Sequence, residues 1–75
     1  MCVEVRISEH LGGSDGAFDT IHRRLVLADH LDPLGRTMVA RSLLIAAGVE
    51  QDAPGPTLRC LCGGPLVVEH WPLAG

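Results

Sequence analysis

The sequence predicts a small two-layer α+β domain, in which two helices lie on one face of a three-stranded antiparallel sheet. Three observations predict this class: an alternating apolar segment at the N-terminus, two segments of helical period in the middle, and a glycine-centred hairpin near the C-terminus. The expected element order is β-α-α-β-β. With 75 residues in all, the chain is expected to form a single domain over residues 1–75.

The first predicted strand is the segment Cys2–Ser8, which alternates between apolar and polar side chains. Val3, Val5 and Ile7 share one side and are expected to face the core, which leaves Cys2 on the opposite side. A loop with several glycines follows and ends this strand.

The first predicted helix covers Ala17–Leu31. Its apolar residues recur at helical spacing and form one stripe, composed of Phe18, Ile21, Leu25, Ala28 and Leu31.

The second predicted helix covers Leu34–Ala47. Asp32 is expected to cap its N-terminus with Pro33 in the first helical position, and Gly48 is expected to end it. Apolar residues occupy two sides of this segment, which indicates either a deeply buried helix or one that packs both internally and on a partner.

The C-terminal hairpin is predicted within Leu58–Trp71, with Gly63-Gly64 as a two-residue turn. This register puts Leu61, Leu66 and Val68 on the core side, with Arg59 and His70 near the ends of that side. Cys60 and Cys62 then point away from the helices, on the same uncovered sheet face as Cys2.

Composition and charge narrow the possible functions. The formal net charge is −3, and all six basic residues are arginine. An acidic domain is poorly suited to neutralising phosphate, so neither nucleic acid nor a membrane surface is an expected partner. No apolar run approaches the roughly 20 residues that span a bilayer, and Met1–Ile7 does not have the apolar pattern of a signal peptide. These features predict a cytoplasmic protein.

The three cysteines suggest a metal or thiol site. Cys60, Cys62 and Cys2 could bind zinc if His10 or Glu69 supplied a fourth ligand. The spacing of Cys60 and Cys62 argues against this, because zinc half-sites place two to four residues between their cysteines. The alternative is that both pack as small apolar residues, since free cysteine is among the most buried residue types.

No nucleophile and base are placed together by a recognisable motif, which favours a protein that is not an enzyme. The principal prediction is a small accessory or regulatory protein-binding module, which docks on itself or on a larger enzyme through Met38, Val39, Leu43 and Leu44 of the second helix. The alternative is a zinc-binding or thiol-redox protein that uses the cysteines. A minimal enzyme that pairs Cys2 or Cys62 with His10 is a third hypothesis.

Overall fold

A computed structural model describes residues 3–9, 13–51, 55 and 57–68 of the chain. The elements run in the order β-β-β-α-β-β rather than β-α-α-β-β. They are β1 (Glu4–Ser8), β2 (Gly16–Asp19), β3 (Arg24–Ala28), α1 (Pro33–Ala46), β4 (Thr57–Arg59) and β5 (Pro65–Val67).

The sheet topology differs from the expected three-stranded antiparallel sheet. β1, β3 and β2 form a mixed sheet in that order, in which β1 is parallel to β3 and β2 is antiparallel to it. β4 and β5 form a separate two-stranded antiparallel sheet. The predicted fold class is therefore wrong in its sheet topology and in its number of helices, since the described residues contain only α1.

The helix predicted over Ala17–Leu31 is wrong, because this segment forms the β2–β3 hairpin. β3 is the central strand, and Leu25 and Leu27 on its inner side are both fully buried. A strand that is paired on both sides and covered needs only a short apolar run, and over a few residues such a run also fits a helical period. Ile21, assigned to the apolar stripe of the predicted helix, is instead 86% exposed in the turn.

The β2–β3 turn is held by the side chain of Asp19, the third residue of the helix predicted over Ala17–Leu31. Asp19 Oδ1 accepts hydrogen bonds from the backbone N–H groups of Ile21 at 3.0 Å and His22 at 3.1 Å. Arg23 completes the turn in the left-handed region, with φ at 52°. An aspartate that binds the backbone two or three residues later stabilises a turn as readily as a helix start, so local sequence does not separate the two.

The second predicted helix is confirmed as α1, with both of its predicted ends. Asp32 Oδ1 accepts a hydrogen bond from Gly35 N at 2.7 Å. Gly48 follows the helix with φ at 93°, and Val49 N donates back to the Leu44 carbonyl at 2.9 Å. These are the bonds of an Asp N-cap and a Schellman C-cap, which depend on neighbouring residues alone and are therefore readable from sequence.

The β4–β5 hairpin exists, but its predicted register is wrong. Leu58 pairs with Leu66, and Gly63 takes φ at 85° in a three-residue loop rather than in a two-residue turn. The predicted register would have turned Arg59 towards the core beside Val68. The observed register exposes Arg59 and buries Leu58 together with Leu66.

One aliphatic core joins the two sheets and the helix. The first strand contributes as predicted, since Val3 and Val5 are buried and Ile7 packs against them. The buried members of the core are Val3, Val5, Leu25, Leu27, Ala40, Leu44, Leu58, Cys60, Leu66 and Val68.

Candidate functional site

α1 carries large apolar side chains that the core does not cover. Leu34 is 66% exposed, Met38 57% and Ile45 54%. With 3.6 residues per turn, these positions fall within about 40° of one another around the helix axis. We call Leu34, Met38 and Ile45 the docking stripe.

The docking stripe is distinct from the face by which α1 joins the core. The buried residues of α1 are Thr37, Ala40 and Leu44, whose mean direction lies roughly 110° from the stripe. α1 is therefore apolar on two sides and covered on one, as the two-sided interpretation of this segment allows.

An open groove adjoins the docking stripe, between α1 and the start of β2. It has a volume of about 510 Å³ and is lined by Ser14–Gly16 from the β2 side and by Met38, Val39, Ser42 and Leu43 of the helix. Met38 belongs to both features, so the stripe and the groove adjoin each other.

Gly16 sets the depth of this groove. A Cβ atom at Gly16 would lie 2.8 Å from the Val26 carbonyl oxygen and 2.9 Å from Val39 Cγ1. Only a residue without a side chain lets α1 approach β2 this closely. In the sequence, Gly16 belongs to the glycine-containing loop that is predicted after the first strand.

The four residues expected to bind a partner, Met38, Val39, Leu43 and Leu44, do not share one surface. Met38 lies in the docking stripe, and Val39 and Leu43 are half-buried in the wall of the groove. Leu44 is fully buried in the core. Leu34 was not identified from the sequence, although its spacing of four residues from Met38 was the available signal.

The cysteines are divided between core and surface. Cys60 is 4% exposed, belongs to the core and is disulfide-bonded, whereas Cys62 is an exposed free thiol. A sulfur in a disulfide is not a thiolate and cannot ligate zinc in that state. Cys2 and His10, the other expected ligands, lie outside the described residues.

No group of three or more potential metal ligands occurs among the residues that the structure describes. Zinc binding by Cys60, Cys62, Cys2 and His10 stays a prediction that requires the disulfide to be reduced first. Of the histidines, His22 Nδ1 lies 2.7 Å from Asp19 Oδ2 and His30 Nε2 lies 3.4 Å from Asp15 Oδ1. Both pairs are exposed contacts at turns.

Glu4 and Arg6 of β1 and Arg24 of β3 form a small charge cluster. The hydrogen bond from Arg6 Nε at 2.6 Å, and then the one from Arg24 Nε at 3.1 Å, hold the pKa of Glu4 below its ordinary value. Exposed ion pairs of this kind contribute little to stability.

Comparison with known proteins gives no relative: no protein-family model, curated protein or solved structure matches the chain. In the described part of the chain, no helix is both long and apolar enough to cross a membrane. The functional assignment therefore depends on the docking stripe, the groove and the two cysteines of the β4–β5 hairpin.

Proposed function

We propose that the protein is a small cytoplasmic accessory module that binds protein through the docking stripe, and that the occupant of the stripe is a second copy of the chain. The observation that supports this is the exposure of Leu34, Met38 and Ile45 along one side of α1. Single exposed apolar residues are ordinary in proteins, whereas a contiguous apolar surface beside a groove is typical of an interaction site.

The spacing of the stripe favours a second copy because it is self-complementary. Two α1 helices can pack antiparallel about a two-fold axis that crosses them at the level midway between Val39 and Ala40. Leu34 of one copy then meets Ile45 of the other, and Met38 meets Arg41. A two-fold interface requires this kind of reciprocity, in which each contact occurs twice. The stripe is then buried on both copies at once.

The charges on α1 are compatible with this packing. The charged residues of α1 are Arg36 and Arg41, with no acidic residue in the helix. Arg41 Nη2 donates to the Gly55 carbonyl at 2.6 Å, which directs its guanidinium towards its own chain. Its aliphatic stem can then cover Met38 of the second copy, as the stems of long charged side chains commonly do.

The test is the molar mass of the purified chain by size-exclusion chromatography with light scattering. The test variant is L34Q/M38Q/I45Q, because glutamine is a good helix former and removes the apolar surface without removing the helix. The matched control is I21Q, which replaces the most exposed large apolar residue of the described chain at a site away from α1.

We expect a dimer for the wild-type chain and for I21Q, and a monomer for the triple variant with its helical circular dichroism retained. A monomeric wild-type chain would overturn self-docking. So would a dimer that survives in L34Q/M38Q/I45Q, because another surface would then hold the two copies together.

A further inference from the structure

The outer edge of β4 is closed by a side chain. Gln51 lies in the segment between α1 and β4. Its Nε2 donates to the Arg59 carbonyl at 2.8 Å, and the Arg59 N–H donates to its Oε1 at 2.7 Å. A neighbouring antiparallel strand would bind Arg59 in the same way, through one donor and one acceptor of a single residue. The Gln51 amide therefore occupies the place of a third strand beside β4.

The hairpin itself does not use the backbone groups of Arg59. Cys60 N donates to the Gly64 carbonyl, so the N–H of Cys60 points towards β5 and that of Arg59 points away from it. Arg59 is paired with Pro65, which has no N–H to donate. Both backbone groups of Arg59 consequently need a partner outside the hairpin, and that partner is Gln51.

Thr57 presents its backbone groups to the same edge. It lies two residues before Arg59 in β4, and the N–H and C=O groups of an antiparallel strand alternate in direction from one residue to the next. Leu58, between them, is 2% exposed and packs in the core. The edge therefore offers two donors and two acceptors, placed symmetrically about Leu58.

We infer that the outer edge of β4 is a latent self-association surface, which the Gln51 amide keeps closed. Its occupant, when Gln51 is displaced, is β4 of a second copy in antiparallel pairing. The two β4–β5 hairpins then form one four-stranded sheet. Addition of a strand to an open edge is a common mode of association, and proteins block such edges to prevent it.

The symmetry of the edge selects a second copy as the occupant. With a two-fold axis between the two Leu58 residues, Thr57 of each copy pairs with Arg59 of the other, and each pair exchanges two hydrogen bonds. This register places no two arginines opposite each other, whereas like charges opposed across strands are destabilising. The pairing uses no residue of the docking stripe, so it is independent of the dimer proposed for α1.

The test variant is Q51A, which removes both hydrogen bonds and opens the edge. The matched control is E50A, which truncates the exposed neighbouring side chain and leaves the Gln51 amide in place. A second test variant is Q51A/T57P. The N–H of Thr57 faces outwards, so proline removes a donor from the edge without removing a bond of the hairpin. Cys62 is alkylated in every sample, so that no disulfide between free thiols joins two copies.

Two measurements follow the edge. Amide hydrogen exchange at low protein concentration should be about tenfold faster at Arg59 in Q51A than in wild type, because the N–H has lost its acceptor. Sedimentation velocity at high concentration should give Q51A about twice the molar mass of wild type, and should give E50A and Q51A/T57P the wild-type mass. The same doubling is expected when Q51A is added to L34Q/M38Q/I45Q, which separates this surface from the docking stripe.

Three results would overturn the inference. A Q51A chain with the molar mass of wild type at every concentration would exclude the latent surface, even with faster exchange at Arg59. Association that persists in Q51A/T57P would show that another surface joins the copies. Equal exchange of the Arg59 amide in Q51A and wild type would show that Gln51 does not close the edge.

Discussion

At the scale of single residues, Gly16 is a position where β2 and α1 approach closely. Its missing side chain leaves room for the Val26 carbonyl oxygen and for Val39 Cγ1, both of which lie under 3 Å from where a Cβ atom would be. One of those atoms belongs to the backbone and cannot move without disturbing the β2–β3 pairing.

Replacing Gly16 with alanine should lower the free energy of unfolding by about 1–3 kcal/mol, because the added methyl group forces β2 and α1 apart. Urea denaturation measures this change. The matched control is G64A, where the new Cβ would meet Cys62 Sγ at an ordinary 3.6 Å. Equal stabilities for G16A and G64A would contradict the close approach.

Glu4 gives a residue-scale prediction about pH. Because Arg6 and then Arg24 lower the pKa of this carboxyl in the folded chain, its stabilising contribution is present above the ordinary value of 4.5. The contribution is lost as pH falls through the lowered pKa. The E4Q variant should therefore be slightly less stable than wild type at neutral pH and equally stable near pH 2. A difference that is the same at both pH values would indicate a cause other than ionisation.

At the scale of elements, α1 shows what sequence can predict. Its start, its end and its two apolar sides follow from neighbouring residues, and the structure has the same caps that Asp32 and Gly48 indicate. Local hydrogen bonds of this kind do not depend on the remainder of the fold.

Replacing Asp32 with alanine should cost about 1 kcal/mol of stability, because the Gly35 N–H loses its acceptor at the N-terminus of α1. D29A, which changes an exposed aspartate just before the helix, is the matched control. Chemical denaturation measures the free energy of unfolding of both variants. An equal loss of stability in the two would show that the loss of a negative charge, rather than of the helix cap, is responsible.

The β2–β3 hairpin and the β4–β5 register show what sequence could not predict. Leu25 and Leu27 fit both a helical and a strand period, and long-range pairing with β1 decides in favour of the strand. In the hairpin, Gly63-Gly64 suited a two-residue turn, but packing of Leu58 against the core selected a three-residue loop. The same shift of register buries Cys60 and exposes Cys62. The sequence therefore locates the two cysteines in one hairpin but does not show which of them is buried.

At the scale of the whole molecule, two sheets and one described helix share a single small core. A domain of this size buries a limited fraction of its surface, so its net stability is small.

In the proposed dimer, α1 packs into the core on one side and on a second copy of the chain on another. The most direct test is an isotope-filtered nuclear Overhauser spectrum of an equal mixture of labelled and unlabelled chain. Leu34 and Ile45 lie roughly 16 Å apart along one helix, too far for a contact within a chain. We predict cross-peaks between Leu34 methyl groups of one copy and Ile45 methyl groups of the other. Their absence at concentrations where the wild-type chain is a dimer would contradict the antiparallel pairing of α1.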